Sequence, residues 1–284
     1  MKYMKNKKVG FTPIVYYNNI YYKLEIFNPS GSIKDRAAYN ILENYYKLGL
    51  IKEGSTVVIP TSGNMGISLA YFSSKFKIKV IVVMPENVSK ERLNILKQYG
   101  AVIILTSGND GMETAIKKAR ELALEKGYVL IDQFNSIYNK TAHLETAKEI
   151  IEDIPDVDYI VCGIGTAGTI SGISEYLRKS RIKIIGVEPY ESSAITKGEI
   201  GSHLIEGLGA GFIPPLINLE DIYKVVRVKS NEVIDKYKND NPLLLGKSGI
   251  ACEIAARKIL EKDQNAKILV IVPDGIDRYE SLVG

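Results

Sequence analysis

Residues 55–70 read STVVIPTSGNMGISLA, an apolar run closed by Pro60 and followed at once by two hydroxyls, a carboxamide and two glycines. A run this short and this apolar predicts a strand buried on both faces, and the polar, glycine-bearing residues behind it predict a turn into a helix. The same signature recurs in KVIVVMP at 79–85, AVIILT at 101–106, YVLID at 128–132, DYIVCG at 158–163, KIIGVEP at 183–189 and KILVIVP at 267–273. Between these runs, helical spacing is clearest at 89–99, 112–125, 141–152 and 250–262. Strand and helix alternating in this way predict open, doubly wound α/β architecture with mostly parallel sheets. With no low-complexity linker and no solenoid repeat, the chain reads as one large domain or as two lobes between which it passes more than once.

Ligands of open parallel sheets bind beyond the carboxyl ends of the strands, so the glycine-rich segments there are the first places to look for chemistry. Gly163 to Gly168, GIGTAG, is a literal G-x-G-x-x-G, and Glu188 ends the next strand at roughly the distance of a ribose-binding acid. That leaves a dinucleotide reading open. Consecutive backbone N–H groups at a helix start serve any phosphate equally well, and the glycines can also simply turn the chain. Thr61 to Gly66, TSGNMG, offers ordinary N-capping by Thr61 or Ser62. It also offers more donors than a cap needs, converging where a carboxylate or phenolate is well held. In Asn28 to Arg36, NPSGSIKDR, Ser32 is a candidate N-cap and Lys34 falls in the first helical turn. Lysine is unfavourable at the positive end of a helix and is ordinarily a solvated surface charge. Desolvated there, it becomes the free amine that attacks a carbonyl to form a Schiff base.

The composition excludes other classes. The chain has 284 residues, 45% of them hydrophobic and 25% charged, enough to bury a core without staples. Its net charge of +4 is spread along the chain, which implies no nucleic acid and favours an anionic ligand only mildly. Cys162 and Cys252, one ending an apolar run and one in a helical pattern, read as buried inert thiols of a reducing, cytoplasmic setting. His143 and His203 have no Cys or acidic companions at ligand spacing, so no metal site is expected. The basic start, MKYMKNKKVG, leads into no apolar segment, and no stretch is long enough to span a bilayer.

At NPSGSIKDRAA, TSGNMGISLA and GIGTAGTISG the sequence resembles the fold-type II pyridoxal-phosphate enzymes, closest to the cysteine synthase (O-acetylserine sulfhydrylase) and cystathionine β-synthase branch. The resemblance spans almost the whole chain. It takes in GFTP at 10–13, PENVSKER at 85–92, Gln133-Phe134-Asn135 with His143, GVEP at 186–189, EGLGAGFIP at 206–214, GKSGIA at 246–251 and PDGIDRYES at 273–281. It implies two interleaved lobes, each with a mostly parallel sheet flanked by helices. Residues 1–37 and 144–284 form the larger, cofactor-binding lobe, and 38–143 the smaller mobile one. It further implies that Lys34 forms the Schiff base with pyridoxal 5'-phosphate and, once released, removes the substrate Cα proton. Asn64 hydrogen-bonds the phenolic oxygen, and Gly165, Thr166, Ala167, Gly168 and Thr169 cradle the phosphate. Ser248 faces the pyridine nitrogen. Thr61, Ser62, the Met65 N–H and Gln133 grip the substrate carboxylate, and the stretch from Gly207 through Ala210 to Gly211 lines the pocket. A neutral hydroxyl at the ring nitrogen suits β-elimination over transamination.

Three departures from the family pattern bear on the site. Met65 replaces the threonine of the usual TSGNTG and removes one hydroxyl from the carboxylate grip, which can define the reaction. Ala167 replaces a glycine, at a cost if its φ is positive. GKSGIA differs from the usual GISSGA and sets Lys247 beside Ser248. The resemblance implies an aminoacrylate route, with O-acetylserine and sulfide giving cysteine as the first substrate pair and a homodimer as the assembly. The alternative is a cysteine-consuming lyase that releases hydrogen sulfide, with water or a second thiol adding. From other classes come a catalytically idle regulatory homologue and, on GIGTAG and Glu188 alone, a nicotinamide oxidoreductase.

Overall fold

The computed structural model describes residues 8–108 and 111–278; residues 1–7 of the basic start and 279–281 of the PDGIDRYES segment lie outside the described residues. Two sheets carry the architecture. The larger has the order β1 (Ile14–Tyr17), β2 (Ile20–Leu24), β10 (Ile268–Val272), β7 (Tyr159–Gly163), β8 (Lys183–Pro189) and β9 (Lys224–Val228). Only the β1–β2 pair in it is antiparallel. The smaller sheet, β5 (Val102–Thr106), β4 (Lys79–Pro85), β3 (Thr56–Pro60) and β6 (Val129–Leu130), is parallel throughout.

The apolar runs are unbroken because both faces of each sheet are covered. In β7, Val161 packs on one side with Ile250 and Cys252 of α8 (Lys247–Leu260), while Ile160 and Cys162 pack on the other with Ile170 and Ile173 of α6 (Gly168–Leu177). In β4, Val80, Val82 and Met84 meet α2 (Asn64–Phe76), whereas Ile81 and Val83 meet α4 (Gly111–Lys126). Each such side chain withdrawn from water contributes about 1.5–3 kcal/mol, so a polar residue at either parity is costly. Cys162 and Cys252 are both free and buried, and desolvation pushes both thiols up, that of Cys252 to about 12. They are core residues, as expected.

The chain crosses between the sheets more than once. The expected lobe boundaries, 37/38 and 143/144, fall inside α1 (Lys34–Lys47) and α5 (Ile137–Asp153). These helices are pinned together by the Asn40 carboxamide, which donates to the Tyr138 carbonyl at 2.7 Å and the Thr141 hydroxyl at 3.0 Å. No helix among the described residues is long and apolar enough to cross a membrane.

Candidate active site

The helices α2 and α6 start just beyond the carboxyl ends of β3 and β7, and the segments leading into α1 and α8 bond to Asp274 beyond the end of β10. A cavity opens beside Ser62 and Glu206, and together with these helix starts it forms the cleft. None of the four begins with a side-chain cap: their N-cap residues are Ile33, Gly63, Ala167 and Gly246. The uncapped starts of α2, α6 and α8 suit an anion, whereas in α1 the N–H groups of Lys34, Asp35 and Arg36 are taken by Ser32 and Ile33. The capping expected of Thr61 or Ser62 does not form. Instead Thr61 Oγ1 accepts from the Gly63 N–H at 3.2 Å, which bends the loop and makes Gly63 the cap residue. Ser32 likewise lies one residue ahead of the α1 cap, its hydroxyl accepting from the Lys34 N–H at 3.3 Å.

Lys34 opens α1. The residue is only partly covered, yet its ammonium is desolvated among the helix starts, which brings it from 10.5 down to about 8 despite the opposing pull of the Asp274 carboxylate. The lysine is thus poised to be a free amine near neutrality. Asn64, first residue of α2, donates its Nδ2–H to Asp274 Oδ2 at 2.6 Å. Its own Oδ1 is buried without a hydrogen-bond partner among the described residues. An orphaned polar atom in a cleft is the mark of a site shaped for something else.

Beyond β7 the Gly163–Thr169 loop enters α6. A Cβ on Gly165 would stand 2.3 Å from the Gly207 carbonyl oxygen, and one on Gly168 would stand 2.2 Å from Asn139 Oδ1. Glycine at both positions lets the loop nest against the 206–211 segment and α5. Asn139 braces it by donating to Thr166 Oγ1 at 2.9 Å and to the Gln133 carbonyl at 2.7 Å. His143, kept neutral by burial and by the charges of Arg36 and Lys34, joins Thr169 Oγ1 to Thr146 Oγ1 at 3.3 and 3.2 Å. Ala167 has φ 65° and ψ 0°, the left-handed conformation that costs a residue with a Cβ about 1–2 kcal/mol. Ala167→Gly is therefore expected to stabilise the protein by about 1 kcal/mol in urea unfolding, and no gain would mean that the loop is unstrained.

The remaining expected residues divide between the two sides of the cleft. Ser248 is buried in the first turn of α8, and its neighbour Lys247 turns away to Glu206 Oε1 at 3.0 Å. Glu206 also pairs with Arg92 of α3 (Lys90–Gln98), whose Nη1 donates to the Ser62 carbonyl at 3.1 Å. Glu206 thereby ties the Thr61–Met65 loop to the segment carrying Gly207 and Ala210, and the Phe134 and Phe212 rings meet at 5.1 Å across the same divide. A cavity of about 470 Å³ opens beside this contact, lined in part by Ser62, Ser89, Arg92 and Glu206.

Met65 needs correction. Its side chain is 1% exposed and packs in the core beside the smaller sheet with Ile67 and Leu69, because its place on α2 faces that sheet. Only its backbone N–H is left to serve the loop, so the expectation that the change from threonine at this position defines the reaction has no side chain at the loop to carry it. The ribose-acid reading of Glu188 fails on similar grounds. Its buried carboxylate accepts from the N–H groups of Ile195 at 3.0 Å and Thr196 at 3.1 Å, which consumes it as a loop anchor.

A desolvated amine, an anion-ready glycine loop, an unpartnered carboxamide and a buried hydroxyl are the groups that pyridoxal phosphate asks of a protein, and the residues present fit it. The sequence reading passed over Asp274, Asn139 and the Arg92–Glu206 pair. Two of the three lay within motifs it quoted, Asp274 in PDGIDRYES and the pair in PENVSKER and EGLGAGFIP, but pairing across the fold is not a sequence signal.

Comparison with known proteins agrees with this geometry. The model of the family described as "Pyridoxal-phosphate dependent enzyme" matches residues 6–274. Cysteine synthase B of Campylobacter jejuni is 40% identical over 284 residues, covering 96% of this chain and 95% of that protein. Among solved structures, a cysteine synthase from Entamoeba histolytica superposes with a TM-score of 0.91 at 36% identity, over 96% of this chain and 87% of that one. A hydrogen sulfide-producing enzyme from Fusobacterium nucleatum superposes with a TM-score of 0.90 at 35% identity, over 95% and 97%.

Proposed function

Because the chain belongs to the pyridoxal-phosphate dependent enzyme family, we propose that it catalyses β-replacement or β-elimination on a serine- or cysteine-like amino acid, foremost the making of cysteine from O-acetylserine and sulfide. The observation that carries this is the desolvated Lys34 amine at the mouth of a cleft whose glycine loop suits a phosphate. When bound, pyridoxal phosphate supplies an aldehyde for the amino group and a ring that accepts electrons from Cα. The rest falls to the chain's own residues. Lys34 gives up its proton to hold the cofactor and, once free, takes the proton from the substrate Cα. Residues 165–169 hold the phosphate through backbone N–H groups and the Thr166 and Thr169 hydroxyls, which Asn139 and His143 keep in place. Asn64 meets the phenolic oxygen, and the Ser248 hydroxyl meets the ring nitrogen without charging it. Thr61, Ser62, the Met65 N–H and Gln133 orient the carboxylate. In Gly207 to Gly211 three residues are glycines and Leu208 is turned into the core, which leaves room for the β-substituent and the incoming nucleophile.

A second reading is sulfide release from cysteine, favoured by the likeness to the Fusobacterium nucleatum enzyme. Assaying the purified protein side by side for cysteine formation from O-acetylserine and sulfide, and for sulfide release from cysteine, separates the two. Faster synthesis supports the first reading, faster release the second, and neither activity in cofactor-loaded protein supports the idle regulatory homologue.

In this proposal residues 38–143 are the smaller mobile lobe, 1–37 and 144–284 the larger, and the Arg92–Glu206 pair is the contact that closes them. The enzyme acts in the cytoplasm, which suits its two free thiols, and as a homodimer; a monomer in sedimentation at micromolar concentration would contradict the assembly.

A further inference from the structure

A cavity of about 700 Å³ lies at the outer edge of the larger sheet and shares no residue with the candidate active site. It runs along the edge strand β9, from Tyr159 and Lys224 at the amino ends of β7 and β9 to Tyr190 and Lys229 just past the carboxyl ends of β8 and β9. Ile185, Val226, Ala255 and Ile259, which belong to the buried core or pack against it, give the cavity an apolar floor. The wall that carries Tyr190 and Lys197 is fixed in place. Thr196 donates its N–H to the buried Glu188 at 3.1 Å, and Ser230, first residue of α7 (Ser230–Asn239), donates its N–H to Glu191 Oε1 at 2.8 Å.

The lining gathers Lys197, Lys224, Arg227, Lys229, Lys258 and Lys262 against two carboxylates, Glu232 and Asp263. Six cations against two anions leave a surplus of four, as large as the net charge of the whole chain. Charge that is scattered in the sequence is collected here by the fold. Glu232 is taken by Lys258 at 3.0 Å, and among the described residues Lys197, Lys224, Arg227, Lys229 and Lys262 form no ion pair. Arg227 and Lys229 instead share the exposed ring of Tyr190, at 4.8 and 5.5 Å from its centre. Lys183, bonded to the Tyr159 hydroxyl at 3.2 Å, adds a cation beside the exposed ring of Tyr223. Charges of one sign held this close repel, and an anion between them lowers that repulsion. Lysine on an edge strand also blocks pairing with another chain, and lysine at a helix end complements the dipole, which accounts for Lys224 and for Lys258. Neither reason brings Lys197 and Lys229, from two other segments, to the same cavity.

We propose that this cavity is a second ligand site, which takes a small polyphosphate, free or borne by a nucleoside. The cations hold the phosphates through charge-assisted hydrogen bonds, and the Tyr190 and Tyr223 rings above the apolar floor suit the face of a base. The volume falls among those of small-molecule sites, roughly 300–1,000 Å³. The inference stands apart from the pyridoxal-phosphate reading, since the two sites have no residue in common.

Calorimetric titration with ATP and with tripolyphosphate, at about 150 mM salt and with pyridoxal phosphate present, tests it. At least one of the two is expected to bind with a dissociation constant below about 1 mM. Tighter binding of ATP assigns the site to a nucleotide, and equal or tighter binding of tripolyphosphate assigns it to the phosphate chain. Arg227→Gln combined with Lys229→Gln is expected to weaken binding by about tenfold or more. Lys47→Gln combined with Lys77→Gln removes the same charge from two exposed ion pairs elsewhere and is expected to change it by less than about twofold. Should the first double variant not fold, Lys262→Glu on the opposite, exposed wall carries the test, with a loss of about tenfold expected. Binding of neither compound below about 1 mM, an affinity that the cavity substitutions leave unmoved, or equal weakening in both double variants overturns the inference. Tighter binding of hexaglutamate than of either phosphate compound overturns it as well, because the surface then fits an acidic protein.

Discussion

Lys34→Ala is expected to lower turnover by at least about a thousandfold and to leave the purified protein colourless, since the general base and the covalent tether are lost together. The side chain is the amine that burial brings down to about 8, at the mouth of the cleft, while the other lysine near the site, Lys247, is held by Glu206. Alanine is a better helix former than lysine and relieves a charge from the positive end of α1, so the fold is expected to survive. Steady-state rates, an absorbance spectrum and circular dichroism on the same sample read these effects separately. Retained activity with an unchanged spectrum would remove Lys34 from the chemistry.

Glu149→Gln is expected to cost about 3–5 kcal/mol of folding stability, because it breaks a closed set of buried charges. Arg36 donates to both Glu25 and Glu149, with Nη1 and Nη2 each 2.7 Å from Glu149, and Lys23 Nζ lies 2.7 Å from Glu149 Oε2. Two cations and two anions balance, whereas glutamine leaves one positive charge buried and uncompensated. Burial alone would raise the Glu149 carboxyl, but the Arg36 and Lys23 hydrogen bonds and charge override it and hold the group at about 2. A carboxyl depressed by folding contributes stability above its ordinary value of 4.5, which is lost as pH falls from there toward about 2. The wild type should therefore weaken through that window, and Glu149→Gln should lack that share of the decline. Urea unfolding at neutral and acid pH measures both effects. A loss below about 1 kcal/mol would mean that water reaches the cluster and screens it.

This cluster shows where the sequence is legible and where it is not. The seven apolar runs read as strands each contain one, because burial on both faces leaves an unbroken signature in a single segment. YVLID shrinks to the two residues Val129–Leu130 at the edge of its sheet, where only one neighbour extends it. The hairpin β1–β2 escaped the reading because its strands are tyrosine-rich and flanked by charge, although Asn18-Asn19 between them, with φ 46° and 62°, is a recognisable two-residue turn. The edge strand β9 escaped because KVVRV is short and half-buried.

The site was legible as motifs and illegible as pairings. Lys34, Asn64 and the 165–169 loop stand out because helix starts and glycines announce themselves locally, and Ala167 has the positive φ that its departure from glycine put in question. Met65 was misread because a helix position two residues beyond the cap can face either the cleft or the core, and only the packing of α2 on β4 decides. Asp274, Glu149 and Glu206 act through partners more than a hundred residues away, as Asn64, Arg36 and Arg92 are from them, and charge pairs of that kind leave no periodic trace.

The central claim is that Lys34 is the residue by which this chain holds pyridoxal phosphate. Borohydride reduction of the cofactor-loaded protein, followed by digestion and mass spectrometry, tests it most directly. The account predicts one phosphopyridoxyl group per chain, located on Lys34 within NPSGSIKDR. A label on another lysine, or an active enzyme that takes up no label, would contradict it.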